Sequence, residues 1–170
     1  PAALTCQLRA AAPRQAAALA RLKAQQAASN PLPTRGTVLF KLSNRDKAMA
    51  VPVARRFAEL GFTIAATRNT AATLRQHGLA VQGVLKVGEG HPDSVEIMQR
   101  GEVQFLVNTP LGGAAQTDDL SMRQVAVQQR IPSVTTIAAA SAAAEAVAAM
   151  QAQEVGVMSV QEWHAVLAGG

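Results

Sequence analysis

The chain has 170 residues and a mass of 17.7 kDa, enough for one globular domain with a short attached arm. Hydrophobic residues make up 49% and charged residues 16%, which supports a core and argues against wholesale disorder, while aromatics at 3% are too few for a base-stacking platform that binds single-stranded nucleic acid. The balance of 16 basic against 11 acidic residues, a formal +5, favours anionic partners; the scarcity of aromatics turns that preference toward small anions.

Cys6 is the single cysteine, which excludes an internal disulfide and a multi-cysteine zinc site and points to a reducing compartment. No apolar run reaches the roughly 18 residues of a membrane span, and no signal-peptide pattern opens the sequence. The first residue is Pro rather than Met, as expected of a fragment or processed piece.

Residues 1–29, rich in Ala, Arg, Gln and Leu, read as a helical or frayed arm interrupted by Pro13. The first 36 residues carry Arg9, Arg14, Arg21, Lys23 and Arg35 without one Asp or Glu. Pro31 and Pro33 mark an extended linker, so 1–35 is arm and linker, and the compact domain spans 36–170.

Strand and helix signals then alternate. Thr37 to Leu42 is a β-rich run, and Ser43 with Asp46 resembles a capping box opening a helix to about Leu60. Pro52 lies inside that helix, and Gly61 is placed to end it. Phe62 to Ala66 is the second strand, and Thr70 to His77 a short helix stopped by Gly78. A third strand over Leu79 to Leu85 precedes a helix over Pro92 to Arg100, in which Asp93 is the cap, and Gly101 follows. Val103 to Asn108 is the fourth strand. Thr117 is the expected cap of a helix over Asp118 to Gln129. Ser133 to Ile137 and an Ala-rich helix over about 138–150 complete the pattern. This alternation predicts an α/β fold, a five-stranded parallel sheet with helices on both faces.

In such a sheet ligands bind beyond the carboxyl ends of the strands. That rule selects Ser43 to Lys47, Thr67 to Thr70, Lys86 to Gly90, Asn108 to Gly113, and Thr135 with Thr136. Lysines, hydroxyls and helix N-termini converging on one rim are the elements that hold a phosphate. The blander alternatives are that Thr67 and Thr70 merely cap a helix and that Lys47 and Lys86 are solvated. His77 suits a helix end, His164 lies in the tail, and His91 sits in a Gly-rich loop open to a catalytic or phosphate-binding role. No His–Cys spacing suits a metal, Gly88-x-Gly90 is an incomplete dinucleotide fingerprint, and the chain contains no nucleophile elbow.

The order of several short motifs resembles a known family. Gly36-Thr37-Val38-Leu39-Phe40, Ser43 through Lys47 and Ala66-Thr67-Arg68-Asn69-Thr70-Ala71 are similar to the methylglyoxal-synthase-like domain, a three-layer Rossmann-like fold. Lys86-Val87-x-Glu89-Gly90-x-Pro92, Val107-Asn108-Thr109, Ile131-Pro132-x-x-Thr135-Thr136 and the closing Met158-Ser159-Val160-Gln161-Glu162-x-His164 resemble the version that ends the carbamoyl-phosphate synthetase large subunit.

The resemblance implies a non-catalytic allosteric domain of a cytoplasmic enzyme making carbamoyl phosphate from bicarbonate, ATP and glutamine-derived ammonia. It implies a site for inhibitory UMP or competing IMP, no other cofactor and no metal, with ornithine acting at a neighbouring interface. The contacts it assigns fall on Lys47, Thr67 and Thr70 for phosphate, and on Lys86, Asn108 and Thr109 for phosphate or ribose. The implied partners are the rest of the large subunit, the glutaminase subunit and further copies in an oligomer, with neither nucleic acid nor membrane. Where members commonly have Thr-x-Gly-Thr, Glu-Gly-Arg-Pro and Asn-Thr-x-Ser-Gly-Arg-Arg, this chain has Asn69, His91 and the run Pro110-Leu111-Gly112-Gly113-Ala114. Ser133 and Val134 replace a Tyr and an Asp tied to ornithine signalling in some members.

Two other readings compete. A methylglyoxal synthase would eliminate phosphate from dihydroxyacetone phosphate and needs a carboxylate base, whose expected position is filled by His91. A vestigial site would leave the domain as an assembly surface.

Overall fold

The computed structural model describes residues 31–110 and 116–154. The arm 1–29, the run after Pro110 that departs from the family pattern, and the closing motif with His164 lie outside the described residues.

Five strands form one all-parallel sheet: β1 Thr37–Lys41, β2 Thr63–Thr67, β3 Gln82–Val84, β4 Phe105–Asn108 and β5 Ser133–Val134, in the order β3-β2-β1-β4-β5. The helices between and after them are α1 Lys47–Glu59, α2 Arg68–Gln76, α3 Ser94–Gln99, α4 Gln116–Gln128 and α5 Ile137–Glu154. The expected α/β class, parallel sheet and helices on both faces are all present.

Side chains alternate across β1, and two separate cores follow from that alternation. Val38 and Phe40 face one core with Phe57 of α1, Leu74 of α2 and the Ala140–Val147 stretch of α5. Leu39 faces the other, with Ile97 and Met98 of α3 and Met122, Val125 and Ala126 of α4. The small side chains of α5, among them the buried Ala140, Ala143, Ala144 and Ala146, let it pack against α1. Phe57 is the aromatic hub of the first core, with ring centroids 6.3, 5.5 and 5.6 Å from Phe40, Phe62 and Phe105. Leu32, in the expected linker, is also buried in this core.

Glycines end the helices as the sequence predicts: Gly61, Gly78 and Gly101 adopt φ of +86°, +79° and +75°, where a side chain is strained. Asp93 caps α3 through Val95 N–H and Glu96 N–H, and Glu96 returns the bond to Asp93 N–H.

Two expected starts are corrected. Ser43 does not cap α1, because its own N–H is bonded to Thr109 Oγ1 at 2.8 Å and the chain must turn before it can coil. Asp46 N–H closes that turn on Ser43 O, Ser43 Oγ donates to Asp46 Oδ2 at 2.6 Å, and the helix starts only at Lys47. Thr117 lies inside α4, which starts at Gln116, so it is not the cap. The strands are shorter than their apolar runs: β3 has three residues and stops level with the end of β2 at Thr67, and β5 has two, because the chain turns into α5 at Ile137 although β4 runs on to Asn108.

Truncating the hub tests this packing. Phe57→Ala should cost about 3–5 kcal/mol, read as a lower urea midpoint at unchanged m-value; a loss below about 1 kcal/mol would contradict the hub.

Candidate functional site

Chain direction sets the place of the site before any side chain does. From β1 the chain crosses over α1, on the face of the first core, to β2. From adjacent β4 it crosses over α4, on the opposite face, to β5. Neighbouring strands whose connections part to opposite faces open a crevice at their carboxyl ends, the switch point of an open parallel sheet.

At this rim the starts of α1 and α2 are bare. Neither has an acidic residue in its first turn, and neither N-cap side chain, Asp46 or Thr67, makes a capping hydrogen bond. Thr67 therefore does not cap α2 through its hydroxyl, although its backbone has the extended conformation of a cap residue. The first helical residues are cations, Lys47 and Arg68, the sign that a helix N-terminus disfavours. The fully boxed α3 shows what the chain does where an N-terminus has only itself to satisfy. Helix starts without side-chain caps and with cations beside them suit an anion, most of all at α2, since the Asp46 carboxylate stands at the start of α1.

The predicted residues gather around these ends. Thr67 and Thr70 are buried at the start of α2. Lys47, the first residue of α1, and Lys86, in the loop after β3, follow different strands, and burial, then the Lys86 charge, pulls the Lys47 ammonium below its ordinary pKa. Lys47 Nζ donates to Asn44 Oδ1 at 2.7 Å. Two half-buried ammonium groups held in mutual repulsion are relieved by a dianion between them. Arg68 reaches Glu89 at 3.7 Å, which links the β2–α2 turn to the β3–α3 loop.

On the β1–β4 side, Asn108 is 2% exposed, and neither its Nδ2 nor its Oδ1 has a hydrogen-bond partner. An amide that has lost water and gained nothing is costly, and a ligand with a donor and an acceptor would satisfy it. Thr109 is spent differently. Its hydroxyl receives the Ser43 N–H, and the Ser43 hydroxyl, then that of Thr109 and the nearby Arg45, outweigh burial in holding the Asp46 carboxyl below its usual range. That knot contributes stability above the carboxyl's unfolded pKa and loses it as pH falls through the lower folded value.

His91 and Asp93 both sit at the box that opens α3. The His91 side chain is 83% exposed, and its Nδ1 lies 2.6 Å from Glu96 Oε1. The Asp93 carboxylate is occupied by the two amides it caps. His77, at the end of α2, bonds Thr73 O through Nδ1 and serves the helix terminus. Among the described residues no group of three or more His, Cys, Asp and Glu is placed to hold a metal. A cavity of about 300 Å³ lined by Pro31, Gln104 and Arg130 lies before β4 and β5, at the other end of the sheet from these residues.

One feature of the rim escapes a reading of the sequence. Lys41, the last residue of β1, is buried and bonds Asp119 of α4 at 2.7 Å. The available signal was a lysine within the apolar run Val38-Leu39-Phe40-Lys41-Leu42 and two acids early in α4, but nothing local joins residues 78 apart.

The MGS-like domain model matches residues 49–135, a span that includes Thr67, Thr70, Lys86, Asn108 and Thr109 and begins two residues after Lys47. This chain belongs to the MGS-like domain family. Curated relatives point to one branch of it. A carbamoyl phosphate synthase large chain of Gemmatimonas aurantiaca is 51% identical over 146 residues, covering 86% of this chain and 13% of the relative. One from Acidobacterium capsulatum is 44% identical over 143 residues, covering 84% and 13%. The C-terminal section of the Methanopyrus kandleri large chain is 42% identical over 143 residues, covering 84% and 26%. The chain thus spans 13% of the full large chains it matches, and it is similar to their MGS-like section.

The two cations supply a direct check. In an NMR titration Lys47 should lose its proton below 10.5, and Lys86→Ala should move that pKa upward by removing the like charge. An unmoved Lys47 in the variant would contradict their proximity.

Proposed function

We propose that this chain is the regulatory domain of a carbamoyl phosphate synthase large chain and binds a nucleoside monophosphate, UMP or IMP, at the carboxyl-end rim. The observation that carries this reading is the pair Lys47 and Lys86 set beside two helix N-termini without side-chain caps. Lys47, Lys86 and the amides at the start of α2, with the Thr67 and Thr70 hydroxyls, hold the phosphate. Asn108, with both amide atoms unspent, takes the hydroxyls of the ribose.

The parent enzyme would make carbamoyl phosphate from glutamine, bicarbonate and ATP, for pyrimidine and arginine synthesis in the cytoplasm. The partners are then the rest of the large chain, a glutaminase subunit and other copies in an oligomer. Regulation follows from differential affinity: a nucleotide that binds one state of the parent more tightly shifts its population, with a coupling of about 1–3 kcal/mol. The methylglyoxal-synthase reading of the domain itself is disfavoured, because His91 fills the position expected of the carboxylate base and Asp93 is committed to the cap of α3.

Calorimetric titration of the 170-residue chain with UMP and IMP at fixed salt tests the proposal. Saturable binding is expected, weakened about tenfold or more in Lys86→Ala, as befits loss of one charge-assisted contact. No methylglyoxal should form from dihydroxyacetone phosphate. A folded chain that ignores millimolar nucleotide would overturn the nucleotide reading and favour an assembly surface; methylglyoxal formation would favour the enzyme.

A further inference from the structure

One carboxylate oxygen ties the start of α2 to the loop that carries Lys86. Glu89 stands between Gly88 and Gly90, whose φ of +78° and +136° fold that loop back on itself, and its N–H donates to Lys86 O at 3.1 Å. The fold-back also brings its side chain to the Lys86 backbone, where Glu89 Oε2 accepts the Lys86 N–H at 3.4 Å. The same oxygen lies 3.7 Å from Arg68 Nη2. Arg68 is the first residue of α2, a helix whose first turn holds no acid. Its guanidinium is therefore drawn across to the backbone of Lys86, and the start of α2 receives from the next loop the negative charge that its own first turn lacks.

Such a pair is readily exchanged. Both contacts of Glu89 Oε2 are long, and the Arg68 and Glu89 side chains are 68% and 35% exposed, so water already competes for them and the pair adds little to stability. The carboxylate brings one negative charge, whereas a phosphate monoester brings up to two and three oxygens that suit the guanidinium fork. An anion held by the start of α2 and by Lys86 would stand between the two elements that Arg68 already spans. It would compete with Glu89 for the guanidinium, and with the greater charge.

We propose that Arg68 is a third phosphate-binding cation of the rim site and that Glu89 holds it back until a dianion takes it over. The proposal rests on the nucleotide reading above and adds two residues to that site. Without ligand, Glu89 neutralises the guanidinium. With ligand, Arg68 leaves the carboxylate for the phosphate, and Glu89 turns to solvent, where salt screens its charge. The exchange gives the two residues opposite signs in binding: removing Arg68 removes a contact, and neutralising Glu89 frees one. Glu89→Gln keeps an acceptor for the Lys86 N–H, so the charge alone changes.

The test is a double-mutant cycle, read by calorimetric titration of the 170-residue chain with UMP and, separately, with inorganic phosphate at fixed moderate salt. Arg68→Ala should weaken binding about five- to tenfold. Glu89→Gln should tighten it about two- to fivefold, a gain that a merely structural role of Glu89 would not produce. In the Arg68→Ala background Glu89→Gln should change affinity by less than about 1.5-fold, since no guanidinium remains to be freed. An Arg68→Ala variant that binds UMP like the wild type would overturn the proposal and leave the nucleotide reading standing. A gain from Glu89→Gln that persists without Arg68 would also overturn it, because Glu89 would then only repel the ligand. If UMP does not bind but phosphate reproduces the cycle, the nucleotide reading fails and the exchange stands; if neither binds, both fail. A ligand-free NMR measurement checks the pair itself: the Arg68 Nε–H resonance should move in Glu89→Gln, and an unmoved resonance would refute the pairing.

Discussion

The seam between β1 and β4 is the constraint from which the site follows. β1 is the central strand, its inward residues buried against two different cores, and its only route to β2 runs over one face of the sheet. β4 lies against it and must leave over the other. The backbone is stitched at that divergence by two bonds across the seam, Thr109 N–H to Lys41 O and Ser43 N–H to Thr109 Oγ1. These bonds tie the ends of the two strands together and make Thr109 part of the rim's frame. The groups proposed to meet the ligand, Lys47, Lys86, Thr67, Thr70 and Asn108, are then arranged around that edge, the placement that fixed geometry requires.

The fold was legible where local chemistry decides structure. Gly61, Gly78 and Gly101 each supply a left-handed residue that ends a helix, and Asp93 and Glu96 are a complete box three residues apart. Alternating apolar runs and helix stops then leave few arrangements besides a parallel sheet. Illegible features depended on residues far apart in sequence. Ser43 and Asp46 have the spacing of a box, but a partner 66 residues away claims the Ser43 amide and delays the helix.

The site divides in the same way. Strand-end position selects the turns that carry Lys47, Thr67, Thr70, Lys86, Asn108 and Thr109, and only the family resemblance narrows those turns to these six residues. Neither reveals that Asn108 is unpaired while Thr109 is engaged, since that depends on which donors fold up beside them. The contrast among the helices is physical too. α3 spends two acidic side chains on its own start, whereas α1 and α2 start with cations and make no side-chain cap bond.

The central claim is that the carboxyl-end rim, and no other part of the chain, receives the nucleotide. An amide NMR titration of the 170-residue chain with UMP measures this most directly. The account predicts that the saturating shifts fall in the turns 43–47, 67–70, 86–89 and 108–109. Shifts confined to 101–104 and 129–132, around the cavity at the other end of the sheet, would contradict it.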